Sequence, residues 1–176
     1  MTSRARIGLI VVGVAGVVAA AAIAVAVLLV TRHDSQPSAG ANSATATTAD
    51  LSDPLVVEFR DTERRCITAF NGALARQRRN EIDELGLATA IDQEVLPAWE
   101  ALRTKLDAAK PAPRNAPLYA ALRRYLEARQ VAWRAYVAGL RAPEADAPRH
   151  YDAYHAKEAE ADGIAREIGA IFRAAS

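Results

Sequence analysis

The chain has 176 residues, enough for one domain plus an appended segment at about 100–200 residues per domain. Its 22 Lys and Arg nearly balance 21 Asp and Glu, for a net charge of +1, which removes the basic surplus expected of a nucleic-acid-binding protein. Alanine supplies 41 residues of a 51% hydrophobic composition and aromatics only 6%, which favours closely packed helices over an all-β fold; a single cysteine excludes an internal disulfide framework and a four-cysteine zinc site.

The first element is a span. Residues 7–30 carry no charge and no strongly polar side chain. As a helix this stretch reaches about 36 Å, enough for a hydrocarbon core of about 30 Å with some tilt. Arg4 and Arg6 precede it, so residues 1–6 are expected to be a cytoplasmic tail, and everything after Val30 to lie outside the cytoplasm, periplasmic or extracellular. A cleaved signal peptide is the rival reading. Its apolar region runs about 7–15 residues, so the length favours an uncleaved signal anchor. Gly16, Ala20 and Ala24 recur every four residues, a spacing that suits close helix approach and that an alanine-rich anchor also produces by chance.

Residues 31–52 are rich in Ser, Thr and Ala, lack apolar periodicity and read as a disordered linker. From residue 53 to 176 the period becomes helical. Asp53 and Pro54 suit an N-cap and first helical position. Leu55, Phe59, Cys66, Phe70 and Leu74 give one apolar face, and Gly86 suits a helix end, so the first helix is expected over 54–85, with a bend near Asn80. Thr89 and Asp92 resemble a capping box for a second helix whose face is Ile91, Val95, Trp99, Leu102 and Leu106. Pro97 should kink that helix or delay its start. Asn115 and Pro117 open a third helix, with Leu118, Leu122, Tyr125, Leu126, Trp133, Tyr136 and Leu140 inward. Asp146 and Pro148 open a fourth, with Tyr151, Tyr154, Ile164, Ile168, Ile171 and Phe172 inward. Four such helices with short turns predict an all-α, antiparallel up-down-up-down bundle behind the transmembrane helix. In that topology the C-terminus returns to the pole where the linker enters.

Candidate chemistry is sparse. Leu122, Leu126, Arg129, Trp133, Tyr136 and Leu140 are spaced 4, 3, 4, 3, 4, which sets Arg129 in the apolar seam of the third helix. Three outcomes are open: its stem packs and its head reaches water, it pairs with a carboxylate, or it binds an anionic ligand. Asp152 and His155 have the carboxylate-x-x-His spacing of di-iron bundles, but the second copy is missing, so no metal or other cofactor is expected. Trp99 and Trp133 suit either a core or an inter-helix pocket. Cys66, on the apolar face, suits burial or a link between two chains. Nothing resembles a nucleophilic triad or a phosphate-binding loop, so no enzymatic activity is expected.

The segments Glu94-Val95-Leu96-Pro97-Ala98-Trp99-Glu100-Ala101-Leu102 and Arg123-Arg124-Tyr125-Leu126-Glu127-Ala128-Arg129-Gln130-Val131-Ala132-Trp133 resemble a bacterial exported helical-bundle domain of unknown function. Such domains occur in membrane-anchored proteins, some of them rhomboid-type proteases. The resemblance spans about residues 53–172 and implies an accessory module with no activity to carry over. The expectation is a non-enzymatic, single-pass envelope protein that binds a protein partner or itself, and no nucleic acid. The rival is a small-ligand or metal-sensing bundle using Arg129, His155, Asp152, Trp99 and Trp133.

Overall fold

The computed structural model describes residues 48–175. The expected tail, the 7–30 span and linker residues 31–47 lie outside the described residues. Among the described residues there is no strand, and no helix is long and apolar enough to cross a membrane. The helical elements are α1 (Pro54–Arg78), α2 (Glu84–Ala90), a π-helical turn (Ile91–Val95), α3 (Leu96–Ala108), a 3-10 turn (Pro113–Asn115), α4 (Ala116–Arg141) and α5 (Ala147–Ala175). Residues 84–108 run as one continuous helix, so the described chain forms four helices in a bundle-like fold.

Asp53 caps α1, its Oδ1 accepting from the Leu55 N–H at 2.9 Å with Pro54 in the first turn. The far end of α1 corrects the expectation. The helix stops at Arg78, and Asn80 adopts φ 57°. The Asn80 N–H reaches the Gln77 carbonyl (2.9 Å) and the Glu81 N–H the Arg76 carbonyl (3.0 Å), a left-handed C-cap closed by two bonds. Asparagine tolerates this conformation because its short polar side chain eases the left-handed penalty. Gly86 is therefore not a helix end. It lies in the first turn of α2, where a Cβ would come 2.8 Å from the Ile82 Cβ.

The start of the second helix also differs. Asp83 is its cap, accepting from the Gly86 N–H at 2.8 Å. Thr89 is interior, its hydroxyl bonded to the Leu85 carbonyl (2.8 Å), so the Thr89–Asp92 capping box does not form. Pro97 leaves its mark as the π-turn: the Leu96 N–H reaches back five residues to the Ile91 carbonyl, and the helix resumes with proline in its first turn. At the end of α3, Arg123 of α4 caps from outside, its Nε donating to the Leu106 carbonyl at 3.0 Å.

Contacts fix the helix directions. Lys105 of α3 meets Glu58 of α1 (2.5 Å), and Cys66 faces the Val95 carbonyl (3.8 Å), so α3 runs against α1. Arg103 meets Gln130 (3.3 Å) and Asp92 meets Arg141 (2.5 Å), so α4 runs against the second helix. Arg124 meets Glu167 (2.6 Å) near one end of α4, and Gly139 lies under the Tyr151 ring near the other, so α5 runs against α4. The helices therefore alternate, and the end of α5 lies at the pole where α1 begins. Helix α4 is the hub. Its buried residues, from Leu118 and Tyr119 to Gly139 and Leu140, cover a broad arc that faces the other helices, and between them only the stripe of Ala120, Arg124, Glu127, Val131 and Arg134 is exposed.

The pole at the start of α1 is tied down by polar contacts. The Tyr119 hydroxyl and the Asn115 amide donate to Asp53 at 2.8 and 3.0 Å. The Asn115 Oδ1 accepts from the Asp50 N–H (2.6 Å), and Arg114 pairs with Asp50 (2.6 Å). Burial pulls the Asp53 carboxyl up, but the hydrogen bonds from Tyr119, Leu55 and Asn115 hold it below the usual aspartate range. Burial and the bond to Asp53 push the Tyr119 phenol up to about 12.

Candidate functional site

The middle of the bundle holds a buried polar cluster built by three helices. Arg129 of α4 is 2% exposed. Its Nη1 donates to Oε1 of Glu158 on α5. The guanidinium carbon lies 5.8 Å from the Tyr125 ring centroid and 5.6 Å from the Trp133 ring, within cation–π range of both. Of the three outcomes open for Arg129, the carboxylate pair is the one present: the head is buried and does not reach water. Burial would lower the guanidinium pKa, and the surrounding Tyr125, Glu158 and Glu63 side chains, with the hydrogen bond to Glu158, outweigh it, so the group stays charged.

Glu63 of α1 joins from the other side. It is 9% exposed, and its Oε1 accepts from the Tyr125 hydroxyl at 2.5 Å. Burial raises the Glu63 carboxyl above the usual range; the Tyr125 bond and the Arg129 charge offset this in part. The Tyr125 phenol is pushed well up, first by burial and then by its contact with Glu63, against the pull of Arg129. Tyr154 of α5 closes the cluster against Trp133 at 6.4 Å between centroids, its phenol also raised by burial and by Glu158.

Of the residues singled out in the sequence, Arg129 and Trp133 meet directly. Trp99 reaches the cluster through Tyr125, at 6.2 Å between centroids, and is packed as core. Asp152 and His155 do not join it. Both are exposed, and the imidazole lies 5.1 Å from the Tyr154 ring. Among the described residues no group of three His, Cys, Asp or Glu side chains is placed to hold a metal ion. Cys66 is free and buried, and burial pushes its thiol up to about 11, which keeps it from acting as a thiolate near neutral pH.

Glu63, Tyr125 and Glu158 are the residues that the sequence reading missed as site members. The spacing signal was present for the acids. Phe59, Glu63, Cys66 and Phe70 are spaced 4, 3, 4, and Tyr151, Tyr154, Glu158, Ala161, Ala165 and Ile168 are spaced 3, 4, 3, 4, 3. Both acids sit in apolar seams, as Arg129 does.

Four buried N–H donors have no acceptor among the described residues: Trp99 Nε1, Arg129 Nε, Gln130 Nε2 and Trp133 Nε1. No protein-family model, curated protein or solved structure matches this chain.

Proposed function

We propose that this is a non-enzymatic, single-pass, membrane-anchored envelope protein whose helical bundle lies outside the cytoplasm and acts as a protein-interaction or scaffold module. The anchor reading rests on the uncharged 7–30 stretch behind Arg4 and Arg6, with 31–52 as the spacer. One observation carries the scaffold reading over a ligand site: Arg129, the residue best suited to hold an anion, is already committed to Glu158 between two aromatic rings. A buried pair of this kind, with its partner fixed, serves register and packing. The groups left for a partner are those of the outer faces, Asp152 and His155 among them. The resemblance of 94–102 and 123–133 to an accessory domain agrees with this reading.

In-cell crosslinking from the bundle, followed by mass spectrometry, tests it. A reproducible crosslink to one protein, or to a second copy, is expected. Recovery of neither would remove the interaction reading.

A second reading, a small-ligand bundle, is favoured by the four donors without acceptors. N–H donors repel cations, so the ligand they suit is an acceptor-rich organic acid rather than a metal. A thermal shift with a panel of carboxylates is expected under that reading, and its absence would leave the scaffold reading alone.

A further inference from the structure

We propose that Glu63 is a proton-binding site in the core, and that the proton it carries fastens α1 to α4. The cluster holds one cation, Arg129, and two carboxylates, Glu158 and Glu63. Glu158 takes the guanidinium. Glu63 has no ion-pair partner of its own among the described residues; its one hydrogen bond comes from the neutral Tyr125 hydroxyl. Ionised, Glu63 would place an unbalanced negative charge where water has little access, which is costly. Protonated, it leaves the cluster neutral and keeps the bond to Tyr125.

The surroundings on each side agree. From α4, Glu63 faces Tyr125 and Arg129. From α5, Glu158 and Tyr154 act on Tyr125 and Arg129. On α1, Cys66 is neutral and Arg64 and Arg65 are exposed. The π-turn and α3 contribute Val95 and Trp99, which carry no charge. Among the described residues no second cation is therefore positioned to replace the proton. Burial raising the Glu63 carboxyl is consistent with this geometry.

The sign follows from linkage. Between the usual glutamate range and the raised folded value, the folded chain binds the proton and the unfolded chain does not. Folding therefore weakens by up to about tenfold per pH unit as pH rises across that window, and levels off above it. Because the charge appears between α1 and α4, α1 is the element that loosens. A bundle outside the cytoplasm would meet changes in external pH through this site.

The test uses the full chain. Glutamate side-chain carboxyls are labelled with carbon-13 and titrated by NMR, and urea unfolding is measured across the same pH range for the wild type and for Glu63→Gln. Glu63 is expected to titrate above the usual glutamate range, and the ratio of wild-type to variant folding constants to fall as it does. Amide exchange in α1, corrected for its intrinsic pH dependence, should accelerate over that range more than in α4. Titration of Glu63 together with the exposed glutamates would overturn the site. Parallel stability curves, or unchanged protection in α1, would overturn the fastening. Should Glu63→Gln fail to fold, the NMR titration and the exchange data on the wild type decide.

Discussion

Arg129 takes its role from what surrounds it. A guanidinium at 2% exposure keeps its charge because a carboxylate and two aromatic faces replace its water. Removing one partner leaves the other charge buried and alone. Glu158→Ala is therefore expected to cost about 3–5 kcal/mol in urea unfolding, while the double change Arg129→Met with Glu158→Leu recovers most of that loss, since apolar replacement of a buried pair is often neutral. A double variant no more stable than Glu158→Ala would show that the pair does more than balance its own desolvation. The seam position of Arg129 was legible from a 4, 3, 4, 3, 4 spacing. Its partners were not, because Glu63 and Glu158 lie 66 and 29 residues away, and only the packing of α1 and α5 onto α4 brings them near. Periodicity tells which face a residue occupies, and not which residue meets it there.

At the scale of the element, the α4–α5 packing depends on small residues. Gly139 sits under Tyr151, where an added Cβ would lie 2.7 Å from the Tyr151 Cε1. A ring held between two helices cannot swing aside as a flexible chain end does. Gly139→Ala is expected to destabilise the bundle by about 1–3 kcal/mol in thermal or urea unfolding, as overpacking does. A change within experimental error would mean that the helices slide apart freely at this end. Apolar faces were read correctly along the helices: Phe59, Phe70, Trp99, Leu102, Leu122, Trp133, Ile168 and Phe172 are all buried. The second helix was misread at its start for a physical reason. Asn80 supplies the left-handed residue that glycine usually supplies, so the turn comes before Gly86 rather than at it. Asp83 had the better claim as a cap, because an aspartate directly before the first helical residue can reach the free N–H groups of the helix. Pro97 was read as a disturbance, and the π-turn is the form that disturbance takes when packing on both sides keeps the helix continuous.

At the scale of the whole molecule, four alternating helices bring the end of α5 back to the pole where α1 begins, and Asp50, Asp53, Arg114, Asn115 and Tyr119 stitch that pole together. The opposite pole, with the turns at 79–83 and 142–146, is the one farthest along the helices from the start of α1. Net charge, nearly zero over the chain, gives no long-range attraction to a polyanion, so recognition would depend on local contacts. The orientation of the proposed anchor would decide which compartment the bundle meets, and protease accessibility in intact spheroplasts tests it most directly. With Arg4 and Arg6 inside, external protease should digest residues 53–176 while a cytoplasmic control protein survives. Full protection of the bundle under those conditions would contradict the proposed topology.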